Sequence, residues 1–173
     1  MESFANCMKC DHCHIPINIH KCKTVEMDKP EVVLLDDLKK KALMTYGLGG
    51  CSAFIIINKQ KNIAILGHYP ESYKVVNIVE NFSNDDSIII IKTPGKWNKN
   101  EQTNIWDFIP STNNYDYLIK KFNTTIIPYS LIKKSSSNSI YKNSYSSSLY
   151  LFIKNNNICT YDNYGRIITI TEY

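Results

Sequence analysis

Cys51 closes a glycine-rich run, Gly47-Leu48-Gly49-Gly50-Cys51, and His68 follows 17 positions later. A cysteine directly after such a turn has backbone N–H groups beside it that can converge on an anion. Donors so placed lower a thiol pKa and can hold the oxyanion of an acyl-transfer reaction. Gly49 and Gly50 are the turn residues expected to shape that backbone. An imidazole within reach of the sulfur would complete a nucleophile–base pair. The competing reading is structural: Cys51 as a small buried thiol, a common fate of a free cysteine, and His68 as a satisfied core histidine.

A second group of reactive side chains lies near the start. Cys7, Cys10, Cys13 and Cys22 are interspersed with His12, His14 and His20. Four such ligands can hold tetrahedral Zn²⁺. The most economical set is Cys7, Cys10, Cys13 or His14, and Cys22 or His20. The spacing departs from common zinc fingers, whose paired knuckles are separated by a longer loop. The alternative is a thiol-rich tail without metal. Cys159 reads as a packed residue of the last hairpin.

The elements that must position Cys51 and His68 follow from apolar patterning. Residues 1–30 read as a polar Cys/His-rich leader closed by Pro30, and residues 31–173 as the folded domain. Val32 to Leu35 and Lys41 to Thr45 read as strands, the second running into the glycine turn. Ser52 to Ile57 and Ile63 to His68 are rich in β-branched residues and are separated by a polar stretch, as in a hairpin. That hairpin sets Cys51 and His68 near its open end. Tyr73, Val76, Val79 and Phe82 recur at roughly helical spacing and predict an amphipathic helix. The isoleucine run from Ser87 to Thr93 predicts a strand covered on both faces, ended by Pro94-Gly95.

Residues 98–110 read as a loop or short helical piece. A second helix over Asn113 to Phe122 and a strand over Thr124 to Tyr129 follow. The stretch 135–148 is rich in serine and reads as a loop. A hairpin of Leu149 to Ile153 and Ile158 to Tyr161, with Arg166 to Thr171 after it, closes the chain. The expected architecture is an α/β (α+β) layered sandwich: a mixed, largely antiparallel β-sheet with two main helices.

Thr45-x-Gly47-Leu48-Gly49-x-Cys51, followed by Gly67-His68, resembles the chemoreceptor glutamine deamidase (CheD) family. The Thr-to-Cys interval of six positions and the Cys-to-His interval of 17 are those of the family. Bacterial toxins of the cytotoxic necrotizing factor type resemble the same core. Close matching covers residues 45–51 and 67–68; the order of elements extends it over 31–173. The resemblance implies a CheD-like fold and a protein-glutamine deamidase. Cys51 is then the nucleophile, His68 the base and Thr45 the residue that orients the imidazole. It implies no cofactor for catalysis and a protein partner bearing an exposed glutamine. Three features depart from the family. Ile65-Leu66-Gly67-His68 replaces its usual approach to the histidine, the serine-rich stretch stands where it has a glycine-rich segment, and the Cys/His-rich leader has no counterpart.

Composition limits the alternatives. The 173 residues carry 20 Lys and Arg against 16 Asp and Glu, a net charge of +4, spread along the chain. That lacks the clustered basicity of a nucleic-acid binder. The longest apolar runs are too short to span a bilayer, and nothing at the start resembles a signal peptide. The expectations are therefore a soluble, cytoplasmic protein with free thiols and no nucleic-acid or membrane partner. A rival to the enzyme is a non-catalytic protein-binding module on the same fold, with a metal-binding leader.

Overall fold

A computed structural model describes residues 22–99, 101–103, 106–110, 114–130, 148–161 and 166–173. The β-branched segments form eleven strands, two α-helices and a 3-10 helix among these residues. The strands are β1 Cys22–Thr24, β2 Glu31–Leu34, β3 Ala42–Thr45, β4 Ser52–Asn58, β5 Ile63–Tyr69, β6 Ile88–Lys99, β7 Trp106–Pro110, β8 Asn123–Ser130, β9 Leu149–Lys154, β10 Asn157–Tyr161 and β11 Ile167–Glu172. The helices are α1 Ser72–Phe82 and α2 Asp116–Lys121, with the 3-10 helix over Leu35–Lys39.

The strands divide between two sheets. One runs β1-β3-β9-β10-β11; the other runs β2-β5-β4-β6-β7, with β8 also pairing β6. Pairing is antiparallel except β1 with β3 and β6 with β8. Alternation along β4 decides what each face meets. Ala53, Ile55 and Ile57 join Leu43, Leu149, Leu151 and Ile158 in a core between the sheets. Phe54 and Ile56 face the other way and pack with Val75, Val79 and Leu118 of the helices. The fold is thus an α+β layered sandwich with helices on the outer face of the larger sheet.

The expected hairpin is present: Ser52 pairs Tyr69, Ala53 pairs His68 and Phe54 pairs Gly67. Several expectations change. First, β6 runs through Pro94-Gly95 to Lys99 instead of ending there. Pairing with β4 stops at Lys92 and pairing with β7 starts at Gly95. Pro94 falls at this change of partner, where a missing N–H costs no ladder bond on that side. Second, residues 106–110 form strand β7 rather than a loop or helix. Third, α1 buries Val75 and Val79, whereas Tyr73 is 61% and Phe82 43% exposed. The smaller β-branched stripe fits against the sheet, and the aromatic residues flank it. Helix α2 is also shorter than expected, covering only Asp116–Lys121.

A further change is at the domain boundary. β1 pairs with β3, Val25 is buried in the inter-sheet core, and the Asp28 N–H donates to the His68 carbonyl at 2.9 Å. Residues 22–30 therefore belong to the sandwich rather than to a separate leader. Among the described residues no helix is long and apolar enough to cross a membrane.

Candidate active site

The glycine run carries the chain from one sheet to the other. Thr45 ends β3 in the five-stranded sheet, and Ser52 opens β4 in the six-stranded one. Gly47 (φ 78°) and Gly50 (φ 119°) occupy backbone conformations that a side chain would strain. Leu48 between them is fully buried in the inter-sheet core and anchors the turn. Burying a leucine contributes roughly 1.5–3 kcal/mol. The crossing thus sets a threonine and a cysteine at its two ends.

His68 comes to the same place from the neighbouring strand. It lies directly opposite Ala53, so both side chains point to the inter-sheet face. Cys51 precedes Ala53 by two positions and packs against that same core. The ladder ends at Ser52–Tyr69, so Cys51 stands one residue beyond the end of the hairpin that carries His68. Across the sandwich, Thr45 Oγ1 lies 3.0 Å from His68 Nδ1, both groups buried. His68 Nε2 is buried and meets no hydrogen-bond partner among the described residues. The tautomer in which Nδ1–H donates to Thr45 Oγ1 leaves the Nε2 lone pair open to accept a proton.

Electrostatics keep the pair neutral at rest. Burial pushes the His68 pKa below its ordinary value, partly opposed by Asp28. Burial, with Asp28 and Glu71 adding to it, pushes the Cys51 thiol up. This reverses the lowering expected from turn amides. The reason is visible in the turn. The Gly49 N–H donates to Gly47 O at 2.6 Å, and the Gly50 N–H to Leu48 O at 2.9 Å. The Gly50 N–H also donates to the Tyr129 hydroxyl at 3.1 Å. The amides of Gly49 and Gly50, expected to hold an anion, are engaged inside the fold. The Cys51 N–H makes no such bond among the described residues.

Gly67 has a packing reason. A Cβ there would fall on the Phe54 ring, which covers it from the paired strand. Phe54 and Tyr69 stack with ring centroids 6.2 Å apart. The glycine before His68 is therefore a seat for an aromatic ring, and it settles the strand that carries the imidazole.

Three nearby residues escaped the sequence reading. Tyr129 is buried, and its hydroxyl donates to the Cys51 carbonyl at 2.5 Å. Lys92 is fully buried opposite Ala53, in the row that contains His68, and its Nζ donates to Ser148 O at 2.8 Å. Asp28 sits on the backbone of His68 and pairs with Lys74 at 3.4 Å. All three are distant in sequence from the glycine run, and no local pattern points to them.

Of the zinc candidates, Cys7, Cys10, Cys13, His14 and His20 lie outside the described residues. Cys22 is in β1, half-buried against the cluster of Met44, Tyr150, Phe152, Cys159 and Tyr161, and burial raises its pKa. Among the described residues no group of three or more His, Cys, Asp or Glu could hold a metal ion. Most of the serine-rich stretch 135–148 is likewise outside them; Ser148, directly before β9, is buried.

Comparison with protein-family models and with curated proteins finds no match to this chain.

Proposed function

We propose that the domain is a CheD-like protein-glutamine deamidase, with Cys51 as nucleophile, His68 as general base and Thr45 as the residue that orients the imidazole. The observation that carries this reading is the buried Thr45 Oγ1–His68 Nδ1 bond, which leaves an unpartnered Nε2 on the face shared with Cys51. A histidine placed only for packing would more often have both ring nitrogens satisfied.

In the proposed reaction the substrate is a protein with an exposed glutamine. His68 Nε2 takes the thiol proton as Sγ attacks the carboxamide carbon. A general base drawing the proton during attack suits a thiol whose resting pKa is raised. The Cys51 N–H is the turn donor for the oxyanion. His68 returns the proton as the C–N bond breaks and ammonia leaves. It then activates water to hydrolyse the thioester, leaving glutamate and the free thiol. The sum is one carboxamide and one water converted to one carboxylic acid and one ammonia, with no cofactor needed.

The test is ammonia release from glutamine-containing proteins or peptides. Wild type should release ammonia and Cys51→Ser should not; equal release by both removes Cys51 as the nucleophile. A non-catalytic binding module is the second reading. What favours it is the raised thiol pKa together with turn amides already engaged. Under that reading Cys51 alkylates at the same rate in wild type and His68→Ala. A structural zinc held by Cys7, Cys10, Cys13 and Cys22 is a separate proposal, as is a cytoplasmic location. The triple change of Cys7, Cys10 and Cys13 to serine, with metal content measured on the full chain, tests the zinc. It spares β1, which a chain starting at Pro30 would remove.

A further inference from the structure

We infer that Tyr129 is a positioning residue for the nucleophile, an inference that rests on the deamidase reading above. Its phenol oxygen makes two bonds to one short piece of backbone. It accepts from the Gly50 N–H at 3.1 Å and donates to the Cys51 carbonyl at 2.5 Å. These groups belong to the peptides on either side of the Gly50–Cys51 peptide. The peptide between them, which bears the Cys51 N–H, is therefore held at both ends. The Cα that carries the sulfur lies inside the same clamp.

The clamp has a rigid support. The Tyr129 ring is buried in the inter-sheet core, on β8, which pairs with the central strand β6. Pro94 is its register partner. Gly50, with φ at 119°, is one of the two positive-φ glycines of the turn, and it is where the hydroxyl attaches. A glycine-rich crossing left to itself would spread the sulfur and the remaining amide donor over many orientations. Two hydrogen bonds from a packed ring remove that freedom before substrate arrives. Misplacing a reacting group by about 1 Å costs on the order of a hundredfold in rate.

Tyr129→Phe keeps the ring and deletes the hydroxyl. The expected result is a fall in kcat of about tenfold to a hundredfold, with KM within about twofold of wild type, because substrate contacts are untouched. The pH–rate profile of Cys51 alkylation by iodoacetamide should move onto that of His68→Ala, since the unclamped sulfur loses its alignment with the imidazole. A kcat within about twofold of wild type overturns the inference. If wild type shows no Cys51-dependent ammonia release, the deamidase reading has failed, and alkylation alone judges the clamp. An alkylation profile unchanged by Tyr129→Phe then overturns it. Should Tyr129→Phe not fold, NMR of the wild-type protein decides. A slowly exchanging Tyr129 hydroxyl proton supports the clamp, and rapid exchange with water overturns it.

Discussion

Thr45→Val keeps the β-branched shape of a fully buried strand residue and removes one oxygen. That oxygen is the partner of His68 Nδ1 at 3.0 Å. A buried donor left without its acceptor costs about 1–3 kcal/mol. For a chain of this size, 1 kcal/mol moves Tm by about 2–4 °C, so the melting temperature should fall by about 2–12 °C. In the Nδ1–H tautomer the same oxygen accepts the imidazole proton and leaves Nε2 basic. If the positioning energy lost in the transition state has the same size, kcat falls by about fivefold to 150-fold. The assay is ammonia release from a glutamine peptide across pH, paired with thermal unfolding. Thr45→Ser, which restores the hydroxyl, should recover most of the activity. A Thr45→Val protein with wild-type kcat and Tm would refute the claim that this bond holds the imidazole for proton transfer.

Other expectations follow from the same surroundings. Burial and then Asp28 raise the Cys51 pKa, while Asp28 opposes the burial that lowers His68. Asp28→Asn should therefore lower both, seen as alkylation of Cys51 beginning at lower pH and a lower titration midpoint of His68 by NMR; an unmoved profile would remove Asp28 as an electrostatic neighbour. Gly67→Ala drives a methyl onto the Phe54 ring and should destabilise by about 1–3 kcal/mol in denaturant unfolding, with Phe54→Leu restoring part of the loss. Because burial depresses the His68 pKa below 6.5, the unfolded chain binds a proton there before the folded one does. Stability should thus fall as pH drops below about 6.5 until it passes the folded pKa, and His68→Asn should flatten that part of the urea-midpoint profile.

Much of the local structure was legible because period-2 patterning and turn residues act over short range. The hairpin of β4 and β5 could be read from two isoleucine-rich segments around a polar connection, and its register delivers Ala53 opposite His68. The glycine run was legible as a tight crossing, and its positive-φ residues are glycines. Where the reading failed, a tertiary preference overrode a local one. Pro94-Gly95 looked like a strand end, yet β6 changes partners there and continues. Tyr73 and Phe82 have helical spacing, but the sheet surface accommodates Val75 and Val79.

The sequence by itself determined which side chains stand at the crossing: a threonine before the glycines, a sulfur after them and an imidazole one hairpin later. Spacing and backbone permissiveness are properties of the chain, so they survive without coordinates. Only the tertiary structure decided that Thr45 reaches His68 from the opposite sheet, that Tyr129 occupies the Gly50 amide, and that Asp28 and Lys92 surround the site. Those contacts join strands many residues apart in the chain. They depend on how two sheets stack and on the parallel register of β8 against β6, which no local pattern encodes.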